Sequence, residues 1–172
     1  MDFKALATKR YSVRKFSREP VTAAELQAVL LAGRIAPTAA NRQPQRVLVL
    51  TEEEGLKKLD ACTSCRFGAP AALIVFFDRD APWARPFDGE RSGWVDASIV
   101  TDHMMMQAAD LGLGSTWVMH FDPAKVMELF QVPETLVPVA VLPLGHPAAD
   151  AEPSDRHALR LGETETIFYN GF

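Results

Sequence analysis

The stretch Arg10-Tyr11-Ser12-Val13-Arg14-Lys15-Phe16 decides how the rest of this 172-residue chain is read. In an extended segment successive side chains point to opposite faces, so Arg10, Ser12 and Arg14 share one side and Tyr11 and Val13 the other. Two guanidinium forks and a hydroxyl along one edge form a receptor for an anionic, hydrogen-bonding group such as a phosphate. At about 3.3 Å per residue the two arginines stand roughly 13 Å apart, enough to hold opposite ends of one phosphorylated molecule. Taken alone, the seven residues also read as a solvated basic turn.

Around this segment the chain alternates helices and buried strands. Asp2 is placed to cap a short helix over residues 3–9 that ends before Arg10. Thr22-Ala-Ala-Glu25 matches a capping box and opens an apolar helical run through Leu26, Val29, Leu30 and Ile35, which Pro37 stops. The small, polar loop Pro37-Thr38-Ala39-Ala40-Asn41-Arg42-Gln43-Pro44 follows. Val47–Leu50 and Ala72–Phe77 read as buried strands, and Thr51-Glu-Glu-Glu54 as a second capping box starting a helix toward Ala61.

Asp78 to Ser92 reads as a long surface loop, of a length that usually covers a site or moves. From Trp94 to Leu111 the pattern predicts a long helix, apolar on much of its circumference and therefore deep in the core or shared with a partner. Met104, Met105 and Met106 within it suit packing. Gly112-Leu-Gly114 breaks that helix and leads into a strand, Ser115–Met119. Asp122-Pro123 caps a helix through Phe130, and Val139–Leu142 is the last clear strand. The tail after Gly145-His146-Pro147 reads as irregular to Phe172. A Rossmann fingerprint would need G-x-G-x-x-G straight after a strand, whereas Gly112-Leu-Gly114 follows a helix.

The size suits one domain, 1–172, which buries roughly 70% of its unfolded surface. A formal net charge of −4 makes the arginines a local cluster on a mildly acidic protein, which argues against general nucleic-acid binding. No apolar run approaches the roughly 18 residues a bilayer span needs, and no secretory h-region is visible. A cytoplasmic location is the resulting expectation. The two cysteines, Cys62 and Cys65, form a C-x-x-C pair, open to reading as a dithiol, half a zinc site or incidental thiols. His103, His120, His146 and His157 are scattered and complete no zinc shell.

Four motifs in order resemble the nitroreductase family of flavin mononucleotide (FMN) enzymes over essentially the whole chain. They are Arg10–Phe16, Ala36-Pro37-Thr38-Ala39-Ala40-Asn41-Arg42-Gln43-Pro44, Ala109-Asp110-Leu111-Gly112-Leu113-Gly114-Ser115-Thr116-Trp117 and Leu144-Gly145-His146-Pro147. The length resembles the compact branch, which lacks an inserted helical lid. The resemblance implies an α+β fold with a mixed central β-sheet flanked by helices, and a homodimer with its two sites at the subunit interface. It also implies a cofactor-binding set of Arg10, Tyr11, Ser12, Arg14, Pro37, Thr38, Ala39, Asn41, Gly114, Ser115, Trp117 and Arg156. In that set Arg10 and Ser12 hold the FMN phosphate, and Arg14 the pyrimidine edge of the ring. Pro37, Thr38, Ala39 and Asn41 come from the other subunit. Gly114, Ser115 and Trp117 lie along the flavin, and Arg156 completes the phosphate site. The family more often has serines at Thr38-Ala39, so Ala39 offers backbone only. Larger members often carry an acidic residue followed by glycine where this chain has Trp117-Val118-Met119-His120.

The function so implied is an FMN-dependent oxidoreductase. Hydride comes from NADH or NADPH, and electrons pass in a ping-pong cycle to a small acceptor such as a nitroaromatic or quinone. The cofactor carries such chemistry, so no catalytic side chain and no metal is called for. Trp83, Phe87 and Trp94 are candidates to shape the acceptor pocket or to anchor their loop. His120 is a candidate proton donor or an ordinary strand histidine. A flavin-binding module with little turnover would use the same residues, and a thiol–disulfide protein would use Cys62 and Cys65 instead.

Overall fold

A computed structural model describes residues 2–172; Met1, the first residue of the expected domain, lies outside the described residues. Helix α1 (Phe3–Lys9) is capped by the Asp2 carboxylate, which accepts from the Ala5 N–H at 2.9 Å. Helix α2 (Ala23–Ile35) begins with the full Thr22–Glu25 capping box. After a 3-10 turn (Ala39–Asn41) come β1 (Gln45–Leu50), α3 (Glu53–Cys62), β2 (Ala71–Asp78) and α4 (Gly93–Asp110). Then follow β3 (Gly114–Ser115), α5 (Pro123–Leu129), β4 (Leu136–Gly145), a 3-10 turn (Asp155–Ala158) and α6 (Glu163–Thr166).

The sheet order is β1-β2-β4-β3, and every pair of these strands is antiparallel. A parallel pairing is supplied by the isolated bridge between Ser12 and Ser115. Both faces of the sheet are covered, which is why β2 is apolar without alternation. Leu73, Val75 and Phe77 join a core with Val29 of α2 and Ala97, Val100 and Met104 of α4. Ala72, Ile74 and Phe76 join a second core with Leu59 of α3 and Val126 of α5. Gly33 lets α2 approach α4 closely, since a Cβ there would stand 2.8 Å from Met104 Cγ.

Four predicted features differ. The strand expected over Ser115–Met119 shrinks to Gly114–Ser115 plus a bridge from Val118 to Val141. Pro143 of β4 lies in the interval between these two pairings, and it has no N–H to donate to a ladder. The box expected at Thr51–Glu54 does not form: α3 starts one residue later, with Glu52 at the N-cap and no side-chain cap bond. The loop from Asp78 to Ser92 contains a turn closed by an Ala84–Arg91 bridge and by Arg85 N–H donating to the Glu90 carbonyl at 2.8 Å. Short elements, the 3-10 turn and α6, also interrupt the tail. No helix of the described residues is long and apolar enough to cross a membrane.

Candidate cofactor site

The Arg10–Phe16 segment is extended and stitched to the sheet edge beyond β3. Val13 N–H donates to the Ser115 carbonyl at 3.0 Å, and the buried Thr116 hydroxyl donates to the Val13 carbonyl. Val13 is buried against Gly114, where a Cβ would come within 2.7 Å of its side chain. Further on, Phe16 bridges Pro147, Ser17 N–H donates to the His146 carbonyl at 2.8 Å, and Ala148 N–H donates to the Lys15 carbonyl at 3.0 Å. Val13 therefore anchors one face, while Arg14 and Lys15 stay exposed.

Beside the segment, at the C-terminal end of α4, lies a cavity of about 250 Å³. Arg10, Tyr11, Val13, Ala109, Gly112 and Ser115 are among its walls, so three of the twelve sequence-nominated residues line one space. Among the described residues the half-buried Arg10 guanidinium meets the Met105 sulfur, at 4.0 Å, and no carboxylate. Its remaining donors suit an anion, which is the fit a phosphorylated cofactor requires. Gly112 adopts a left-handed φ of 81°, and a Cβ there would meet nothing within 4 Å, so the backbone stays open on that side.

The Pro37–Pro44 loop sits elsewhere, against the N-terminal end of α4. Ala40, Asn41 and Gln43 all have φ near +50° (49°, 51° and 50°). Left-handed backbone at a non-glycine residue costs on the order of 1 kcal/mol, so the surroundings must enforce it. Thr38 does so locally: its hydroxyl accepts from Gln43 N–H at 3.1 Å, and its carbonyl from Asn41 N–H at 2.9 Å. The tie to the helix is Asp96, only 1% exposed, whose carboxylate accepts from Ala39 N–H at 2.8 Å and from the Ser92 hydroxyl at 2.7 Å. From Asp96 to Ala109 the helix rises on the order of 20 Å. Within one chain, then, the loop and the Arg10 cavity belong to opposite ends of α4.

A model of the nitroreductase family matches residues 7–67 and 60–146 of the chain. The chain belongs to the nitroreductase family. A crystal structure of a nitroreductase family protein from Clostridium difficile 630 superposes with a TM-score of 0.94 at 43% identity, covering 100% of both chains. An Archaeoglobus fulgidus protein assigned as an NADH dehydrogenase/NAD(P)H nitroreductase is 32% identical over 84% of each chain. The FMN reductase [NAD(P)H] of Bacillus subtilis is 26% identical over 82% of this chain and 64% of its own.

The other nominated residues of this nitroreductase-family chain have definite places. Trp117 is half-buried and packs on the first core. Arg156 is exposed on the 3-10 turn whose His157 ring meets Tyr11 edge-on at 6.3 Å; Tyr11 also donates to the Ala151 carbonyl at 3.2 Å. Trp94 packs edge-on against Phe77 at 5.7 Å, and Phe87 is 94% exposed at the tip of a turn locked by Arg85 on Asp88. Cys62 is buried in the second core, its thiol pushed up by burial and further by the Asp122 carboxylate, the opposite of an activated thiolate. His120 is exposed, and its carbonyl accepts from the Thr63 hydroxyl. Asp96 is the buried residue beside the Pro37–Pro44 loop that sequence reasoning missed. Its signal would have been an acid two residues after Trp94 in a helix otherwise read as apolar, beside Ser92 four residues back.

Proposed function

We propose that this protein is an FMN-dependent oxidoreductase that accepts hydride from NADH or NADPH. It passes the electrons to a small acceptor, a nitroaromatic or a quinone, in a ping-pong cycle. The observation that carries the reading is the guanidinium of Arg10, without a carboxylate partner among the described residues, on an edge segment beside the cavity at the end of α4. Family membership and the FMN reductase relative support it.

In this reading Arg10 and Ser12 hold the phosphate, and Arg156 adds charge from the tail turn. Arg14 stands by the pyrimidine edge, and Tyr11, Gly114, Ser115 and Trp117 form the wall. When bound, FMN supplies the hydride-accepting and electron-donating chemistry. The side chains bind, orient and exclude water, and none is required as nucleophile or acid–base pair.

The working unit is a homodimer, because Pro37, Thr38, Ala39 and Asn41 serve the cofactor only from a second subunit. Their distance from the Arg10 cavity along α4 supports that assignment. So do the exposed Phe3, Leu31, Ile35, Trp94 and Val95, large apolar side chains left open to water on helices α1, α2 and α4.

The test is an absorbance spectrum of the purified protein with FMN, before and after anaerobic NADH or NADPH. Flavin bands that stay with the protein and bleach on adding nicotinamide are the expected result. Bound flavin that does not bleach points to a binding module with little turnover, and absence of retained flavin overturns the proposal.

A further inference from the structure

Asp96 is a buried carboxylate that the proposed chemistry does not use. Its hydrogen-bond partners, the Ala39 N–H and the Ser92 hydroxyl, are both neutral donors, and no cationic side chain contacts it among the described residues. A charge taken out of water is costly unless something fixed needs it. Its position in the first turn of α4, where helix N–H groups favour an anion, offsets part of that cost.

A carboxylate only accepts, so both neighbours must donate and neither can reverse. The Ala39 N–H is thereby held to the helix, at the head of a loop with three left-handed non-glycine residues. At the far end of the loop Arg46 donates to the Gln43 carbonyl at 3.2 Å. Between these ends, among the described residues, the loop's hydrogen bonds run within itself, through Thr38, Ala39 and the Gln43 amide. The same carboxylate holds Ser92, whose N–H donates to the Trp83 carbonyl at 2.9 Å, so one buried group joins the loop to the turn before α4.

We infer that Asp96 is a positioning residue for the cofactor phosphate. It holds residues 38–43 in the one conformation that meets the phosphate end of FMN on a second subunit. This rests on the function proposed above, in which that loop serves the partner's cofactor.

The experiment compares dissociation constants for FMN and for riboflavin, which lacks the phosphate, by quenching of flavin fluorescence. Wild type should prefer FMN strongly. Asp96→Ala should weaken FMN at least tenfold and riboflavin less than threefold, so the preference narrows. Asp96→Asn should restore it to within about threefold, since its carbonyl oxygen still accepts from Ala39 and its amide can donate to Ser92.

If Asp96→Ala does not fold, Ala39→Pro deletes the same hydrogen bond from the loop side and should narrow the preference likewise. A ratio left unchanged overturns the role of Asp96 alone, whether both flavins bind normally or both weaken in parallel. A wild type that binds neither flavin overturns this role together with the proposed function.

Discussion

Arg10 and Arg14 share one edge of an extended segment, yet their surroundings differ. Arg10 is half-buried at a cavity and meets the Met105 sulfur, while Arg14 is exposed and reaches the Ser12 carbonyl at 3.4 Å. Hydrogen bonds to charged groups contribute about 1.5–3 kcal/mol, so Arg10→Ala should weaken FMN binding roughly 10- to 150-fold. Arg14→Ala should instead move the flavin reduction potential more than the occupancy. Titration of FMN and a potential measured against a reference dye check both, and identical behaviour of the two variants contradicts the split roles. Gly114 makes a separate point. A methyl there would overlap Val13 at 2.7 Å, with both residues buried, so Gly114→Ala should cost about 1–3 kcal/mol and lower the melting temperature. The extended course of the Arg-x-Ser-x-Arg stretch was legible because its alternation puts Val13 into the protein and leaves Arg14 outside. Asp96 was not, because an acid near the start of a helix looks solvated until the fold buries it.

Most elements with a local signal were legible, although the equally local box at Thr51–Glu54 did not form. The Thr22 box, the Asp2 cap and the Asp122-Pro123 start formed as read, since each satisfies backbone groups within four residues. Where the outcome depended on a distant residue, local reading failed. Pro143 in β4 limits how far β3 can pair, and nothing near Ser115 announces it. The Thr22 box also predicts a pH dependence. Glu25 lies below its ordinary 4.5 because the Thr22 hydroxyl, then the Thr22 N–H, donate to its carboxylate. A depressed folded-state value means this stability is fully present above about pH 4.5 and is lost as pH falls through the lower folded value. Removing the cap in Thr22→Ala should cost about 1 kcal/mol, some 2–4 °C in melting temperature for a chain of this size. That gap should be widest near neutral pH and narrow below about pH 4.5 without vanishing, because the cap to Glu25 N–H does not titrate. A gap that widens on acidification would contradict the assignment.

At the scale of the whole molecule the chain presents apolar surface that one copy cannot bury. From Leu159 onward the tail exposes Leu161, Ile167, Phe168, Tyr169 and Phe172 and joins neither core. On the body, Phe3, Leu6, Ala32, Ile35 and Met106 line a groove of about 400 Å³ between α1, α2 and α4. The apolar circumference of α4 left two fates open, core or partner; Ala97, Val100, Met104 and Ala108 are buried in the core while Trp94 and Val95 stay exposed. Sequence could not apportion those faces, because periodicity shows that a helix is apolar all round but not what covers it. Removing residues 159–172 leaves both cores intact, so the shortened chain should keep its fold by circular dichroism. It should nevertheless dissociate at higher concentrations than the full chain in sedimentation velocity, since apolar area withdrawn from water drives association. If the loop at Thr38–Asn41 is supplied by the second subunit as proposed, FMN affinity should fall in step with dimer content and recover as protein concentration rises. A full chain that sediments as a monomer while holding FMN normally would show that Arg10 and its cavity suffice alone, and would remove the second subunit from the site.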